Sequence, residues 1–252
     1  MKFIILGSGS SMGVPRPDGF FGNCDPKNDK NFRSRCSALI KSKDKNVLID
    51  TSPDLRNQML RNKIKSLDTV MYTHYHADQT HGINDLRVFF LRRKKKIPVY
   101  TDRNTKKYLL DSFSYCFKGS KEYPPILRLF DIKKKFKIGK FINIETIKVR
   151  HGSINSVSYI INKKIAYLPD ANQIYKKDYQ KFFKLDFLII DCLRYEAHPS
   201  HFNLDDVLKM NIDLKPRKLI LTNLHSDLDY DKLINILPKN TKPAYDGLTL
   251  NF

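Results

Sequence analysis

Nowhere does the chain string together the roughly 20 apolar residues that a membrane-spanning helix needs, so no membrane partner is expected. The apolar start, Met1-Lys2-Phe3-Ile4-Ile5-Leu6-Gly7-Ser8-Gly9, is too short for a signal core and lacks a convincing cleavage site. It reads as a first strand, with a cytoplasmic location to match. Cysteine is scarce. Cys24, Cys36, Cys116 and Cys192 lie far apart with no C-x-x-C pair, which excludes a disulfide framework or a cysteine-rich zinc site and leaves buried free thiols. Linkers, low-complexity tracts and internal repeats are also missing, so residues 1–252 read as one domain. Acidic residues are few: 26 Asp and Glu face 46 Lys and Arg, for a net charge of +20. Such a charge permits nucleic acid as a partner but does not select it, because the lysines are spread along the whole chain. The densest runs, Arg92-Arg93-Lys94-Lys95-Lys96 and Lys133-Lys134-Lys135, read as solvated turns. A small anionic substrate such as a phosphate ester suits the same charge.

What is present is a core's worth of apolar residues, 41% of the chain. Short apolar runs predict strands at residues 3–6, 37–40, 47–49, 69–72, 99–101, 142–149, 157–161, 165–168, 187–190 and 219–221. Helices are expected from Pro53 to Leu60, from Asn104 to Phe117, from Asn203 (an N-cap residue followed by acidic first-turn residues) and from Asp229 to Leu237. Strands fall in adjacent groups with helices between them. That is more than simple β-α-β alternation and implies an α/β fold in which two sheets pack as a sandwich covered by helices.

Of the seven histidines, nearly all follow a predicted strand or sit in a loop, where side chains converge on a cleft. The sharpest pattern is Thr73-His74-Tyr75-His76-Ala77-Asp78-Gln79. In extended chain the i, i+2 spacing puts both imidazoles on one side. Asp78 adds a hard oxygen donor, and two nitrogens with a carboxylate suit Zn²⁺, Mn²⁺ or Fe²⁺.

His-x-His-x-Asp after a strand resembles the signature of the metallo-β-lactamase superfamily, and further motifs follow in that family's order along residues 1–252: Asp50 ending Val47-Leu48-Ile49, His151 in Val149-Arg150-His151-Gly152, Asp170 after Leu168-Pro169, and His225 after Thr222-Asn223-Leu224. The resemblance implies the αββα sandwich of that family and two divalent ions, zinc or manganese. By the same resemblance His74, His76 and His151 hold the first ion, Asp170 bridges, His225 is the last ligand of the second, Asp78 is a further metal ligand, and Asp50 orients the metal loop. The family usually continues His-x-His-x-Asp with a further His, and here that position is Gln79. An amide carbonyl is a poorer zinc ligand than imidazole. Gln79 and His81 are therefore both open as ligands of the second ion.

Arg33-Ser34-Arg35-Cys36-Ser37, Asn84-Asp85-Leu86-Arg87 and Pro243-Ala244-Tyr245-Asp246-Gly247, with the Gly7–Pro15 loop, resemble a narrower branch that includes the cyclic phosphodiesterase of phosphonate catabolism. Some members of that branch carry a structural zinc on clustered early cysteines. With only Cys24 in that region, no such zinc is expected. The Gly/Ser loop after the first strand could bring backbone N–H groups to an anion, with Ser10 as a substrate contact.

Two ions lower the pKa of a shared water toward about 7, which makes a nucleophile at neutral pH. The leaving alkoxide then needs a proton, and the resemblance favours His201, just before a helix, as the acid, with His198 as a substrate contact. Asp50 and Asp78 complete the catalytic set. The expected activity is hydrolysis of a small or cyclic phosphodiester. A ribonuclease related to tRNA 3′-processing enzymes would use the positive charge but shows no long inserted arm. A non-catalytic metal-binding protein with a weakened second site is the third reading, and a homodimer is left open.

Overall fold

The computed structural model describes residues 1–252. Its strands, in chain order, are β1 Lys2–Gly7, β2 Ser37–Lys41, β3 Asn46–Ile49, β4 Thr69–Met71, β5 Ile97–Thr101, β6 Leu127–Asp131, β7 Lys135–Ile138, β8 Ile142–His151, β9 Ile154–Ile161, β10 Ile165–Leu168, β11 Gln173–Ile174, β12 Phe187–Asp191, β13 Lys218–Thr222, β14 Thr241–Pro243 and β15 Thr249–Asn251. The first sheet runs β15-β1-β2-β3-β4-β5-β6, and the second β11-β8-β9-β10-β12-β13-β14 with β7 paired to β8. This is the expected sandwich of two mixed sheets flanked by helices.

The central strands carry apolar residues on both faces because both faces are covered. Along β1, Phe3 and Ile5 point between the sheets, where they meet Tyr159, Tyr167 and Ile189, while Ile4 and Leu6 face outward. Outside the first sheet, Leu55 and Met59 of the helix Leu55–Arg61 pack with Phe89 and Leu109. Outside the second, Leu204, Val207, Met210 and Leu214 line one stripe of the helix Leu204–Leu214, which Asn203 caps as expected.

Two expectations are corrected in detail. The helix expected from Asn104 to Phe117 is two, Arg103–Ser112 and Ser114–Phe117, because Phe113 leaves helical geometry at φ −131°. The basic run at residues 92–96 is only partly a turn: Arg92 and Arg93 end a helix, Arg87–Arg93, and Arg93 donates to Asp68 at 2.8 Å.

Parallel pairing decides where the chemistry gathers. β3 and β4 run parallel, as do β10, β12 and β13. Their carboxyl ends therefore open on one rim, the usual place for a site in such sheets. No helix of the chain is long and apolar enough to cross a membrane.

Candidate metal centre

Asp50 leaves β3 in the left-handed region at φ 63°, and Asn223 leaves β13 the same way at φ 62°. Asp and Asn tolerate this conformation better than most residues, and each turns its side chain back over the rim. The Asp50 carboxylate, fully buried, accepts from the Thr73 N–H at 2.7 Å and the Thr73 hydroxyl at 2.8 Å. With that hydroxyl proton committed to Asp50, the contact of 3.1 Å between Thr73 Oγ1 and His74 Nδ1 is donated by the ring. His74 is thereby fixed as the Nδ1–H tautomer, and its Nε2 is left buried with no partner. Asp50 thus acts on His74 through Thr73, as a positioning residue.

His151 ends β8, and its Nδ1–H donates to the Ser200 carbonyl at 2.7 Å, so Nε2 carries the lone pair. That nitrogen lies 3.2 Å from His76 Nδ1. The ligand atoms of His74, His76 and His151 all fall within 4.8 Å of one another. A tetrahedral Zn²⁺ with bonds of about 2.0–2.1 Å spaces its ligand nitrogens by about 3.3 Å, so an ion fits this cluster. Charge state agrees. Burial lowers all three rings, His74 furthest and His151 to about 4, which keeps them neutral and ready to ligate. The donor set, an orphaned buried nitrogen among converging imidazoles, is that of a divalent-metal site.

Asp78 and Asp170 lie beside the cluster, and burial raises both carboxyls. Between them sits the fully buried amide of Gln79. Its Nε2 donates to Asp78 Oδ2 at 3.1 Å and to Asp170 Oδ2 at 3.0 Å. His201 closes the far side. Its Nδ1–H donates to Asp191 Oδ2 at 2.7 Å, and Asp170 Oδ1 is 4.0 Å away. Burial pulls the His201 ring down, but the charge and hydrogen bond of Asp191, with Asp170 and Asp78 beyond, outweigh it and raise the ring to about 9. The Asn223 amide, 3.1 Å from the same Nδ1, is a donor facing a donor. Its proper acceptor is Asp191 Oδ1, also at 3.1 Å.

The surrounding cleft of about 330 Å³ is lined by Ser10, Ser11, Met12, His76, Asp78, His151, Asp170, Leu193, Arg194, His198, Ser200, His201, Asn223 and His225. Ser10 Oγ is buried there without a partner. His198 stands on the wall, and its Nδ1 faces the Ser200 hydroxyl at 3.1 Å. His225 also reaches the wall, but no three-ligand cluster includes it, and its Nδ1 lies 3.0 Å from Asp227. His81 is turned away: the helix that begins at Ala77 ends at Thr80, and the His81 ring contacts Tyr108 at 2.9 Å and Phe113. It does not reach the ligand cluster.

In the Gly/Ser loop the amides of Ser8, Gly9, Ser10 and Gly13 are spent on Asp246, Ser34, Leu224 and Ser10, so that only those of Ser11 and Met12 are left for an anion in the cleft. The loop's glycines allow close packing: a Cβ on Gly9 would lie 2.7 Å from the Arg33 carbonyl. Sequence reasoning passed over Asp191, Asn223, Ser200 and Arg194. Asp191 had a signal, since it ends an apolar strand as Asp50 does. Ser200 acts through a backbone carbonyl and had none.

The pattern of the Beta-lactamase superfamily domain matches residues 45–223. The chain is 32% identical, over 98% of its length, to the octanoyltransferase of Porphyromonas gingivalis (strain ATCC BAA-308 / W83), and it spans only 51% of that protein. Among solved structures, a new diphosphatase from the PhnP family superposes with a TM-score of 0.89 at 30% identity, covering 100% of this chain and 97% of that one. Zn²⁺-bound PqqB from Methylobacterium extorquens superposes with a TM-score of 0.80 at 15% identity, with 100% of both chains covered. The short form of human tRNase Z gives 0.70 at 14%, with 100% and 99% covered. At those identities the last two share the fold alone.

Proposed function

The chain belongs to the β-lactamase superfamily, and on that premise we propose that it is a metal-dependent hydrolase of small phosphoric diesters or diphosphates. The observation that carries the reading is one cleft holding both a three-imidazole cluster, in which His74 Nε2 is buried without a partner, and a His201 ring anchored on Asp191. The likeness over the whole chain to a diphosphatase, at 30% identity, supports phosphorus as the reacting centre.

His74, His76 and His151 would hold the ion, with Asp170 beside them. When bound, a divalent ion supplies an acidified water and neutralises charge on phosphoryl oxygens. The chain's own residues do the rest. Thr73 and the Ser200 carbonyl fix the tautomers of His74 and His151, so that Nε2 of each faces inward. Asp191 takes the Nδ1–H of His201, which leaves the Nε2 proton of the imidazolium for a departing oxygen. Ser10 Oγ, His198 and Arg194 line the cleft where a substrate's non-reacting groups would lie. The octanoyl transfer named for a relative does not carry over, because this chain spans only 51% of that protein.

The test is turnover of bis(p-nitrophenyl) phosphate, a cyclic phosphate and a disubstituted diphosphate against p-nitrophenyl phosphate, on protein of measured metal content. Preference for the diesters or diphosphate is expected. Cleavage of precursor tRNA with no small-diester turnover would replace this reading with a ribonuclease one, and absence of bound metal would end both.

A further inference from the structure

The number of ions in the centre is a question that rests on the metal-hydrolase reading. We infer that the centre is built for one resident ion, with the Gln79 amide acting as a neutral strut between the two carboxylates that a second ion would bridge.

Donors decide the count. Gln79 Nε2 offers two protons, and they go to Asp78 at 3.1 Å and Asp170 at 3.0 Å. The root of the side chain is held as well: the Gln79 N–H donates to the His76 carbonyl, and the Gln79 carbonyl accepts from the Thr51 N–H at 2.8 Å. The amide is fully buried, so no solvent competes for its N–H bonds, and its Oε1 has no partner. In this arrangement the facing carboxylates are tied together by N–H groups, with no cation required.

A second ion would need ligands of its own, and the His, Cys, Asp and Glu side chains here do not complete a second independent set. The second ligand trio, His151, Asp170 and His201, shares His151 with the first cluster, which leaves two donors. Zinc sites take at least three protein ligands. His225, the imidazole expected there, lies outside both trios; its Nδ1 is 3.0 Å from Asp227 but makes no hydrogen bond. His81 is engaged with Tyr108. Asp78 completes no further trio, and its Oδ2 already accepts from Gln79.

Rotating the Gln79 amide by half a turn would point Oε1 at both carboxyl groups and withdraw both N–H donors, a loss that a cation in the middle would offset. An amide oxygen is a weak ligand for zinc. Gln79 therefore sets the choice between one ion and two.

The experiment strips the full chain with chelator and dialyses it to equilibrium against Zn²⁺, and separately Mn²⁺, at micromolar free metal, with elemental analysis of the retained ions. One ion per wild-type chain is expected, rising to two in Gln79→His. Electron paramagnetic resonance of the Mn²⁺ form should show an isolated ion in the wild type and an exchange-coupled pair in the variant. Two ions or a coupled pair in the wild type overturns the inference while leaving the hydrolase reading intact. No retained ion overturns the hydrolase reading itself. If Gln79→His folds poorly by circular dichroism, the wild-type count and spectrum still decide.

Discussion

Replacing Asp191 by Asn tests the proton-donor half of the site without touching a metal ligand. The variant keeps the shape of the side chain and an oxygen for one of its partners, the Ala171 N–H at 2.9 Å, but removes the charge facing His201. The wild-type ring is raised from 6.5 to about 9. At 1.36 kcal/mol per unit, that corresponds to about 3 kcal/mol of preference for the imidazolium. The shift has three carboxylate contributors, with Asp191 foremost and Asp170 and Asp78 behind it. Burial pulls the other way, so losing Asp191 returns the ring toward or below its ordinary value, and most molecules at pH 7 lose the acid. An Asn amide can also present its N–H to Nδ1, which favours the wrong tautomer.

For a diester with an alkyl or ribosyl leaving group, turnover should fall by roughly 10²–10⁴-fold, the span of a lost general acid. For bis(p-nitrophenyl) phosphate, whose leaving group departs without protonation, the fall should be about tenfold or less on the same principle. The pH profile carries the sign. The acid form is the active one, so wild-type turnover of the alkyl diester should fall on an alkaline limb above the ordinary imidazole range, and in Asp191→Asn that limb should move to lower pH. Metal content is measured alongside. Equal losses on both leaving groups, an unmoved limb or loss of the ion would each refute the assignment of His201 and Asp191 as donor and anchor.

Thr73→Val removes a hydroxyl that serves both Asp50 and His74; a loss of about 1–3 kcal/mol in urea unfolding is expected, with weaker metal retention, and an unchanged midpoint would refute the relay. Burial lifts Asp246 to about 6, above its ordinary 3.8, against the hydrogen bonds of Ser34 and Ser8 and the Arg61 charge. The folded chain therefore holds that proton more tightly than the unfolded one. The stability it contributes is complete below about pH 4 and is lost as pH rises through about 6. Subtracting Asp246→Asn from wild-type unfolding profiles between those values should expose that slope, and parallel profiles would refute it. Arg194 is the one Lys or Arg lining the cleft, with its guanidinium tethered to the Ala197 carbonyl at 2.8 Å. Arg194→Ala should raise KM several-fold for substrates bearing an additional phosphate and leave KM for bis(p-nitrophenyl) phosphate unchanged; equal KM effects would remove Arg194 from recognition.

The sheets were legible because both faces of their central strands are covered, so their residues stand out as apolar runs such as Phe3 to Leu6 and Phe187 to Ile190. The edges were not. β15 is three residues long with only Leu250 buried, β14 ends in a proline, and β6 interrupts its apolar residues with Arg128. The helix Arg87–Arg93 buries only Phe89, and its basic end disguised it as a turn.

At the site the division has a different cause. Ligating side chains announce themselves through residue type and strand-end position, so the imidazoles of His74, His76 and His151 and the carboxylates of Asp78 and Asp170 could be nominated from order alone. Where each of those groups directs its lone pairs is set by partners distant in the chain: Ser200 from 49 residues away for His151, Asp191 from 10 residues away for His201 and Asp170 from 91 residues away for Gln79. A motif specifies which atoms meet, and these distant partners specify which of them arrive with a proton. Gln79 is the sharpest instance. By type it reads as a substitute ligand; by its bonds Nε2 is a donor to two carboxylates, while Oε1 is buried without a partner.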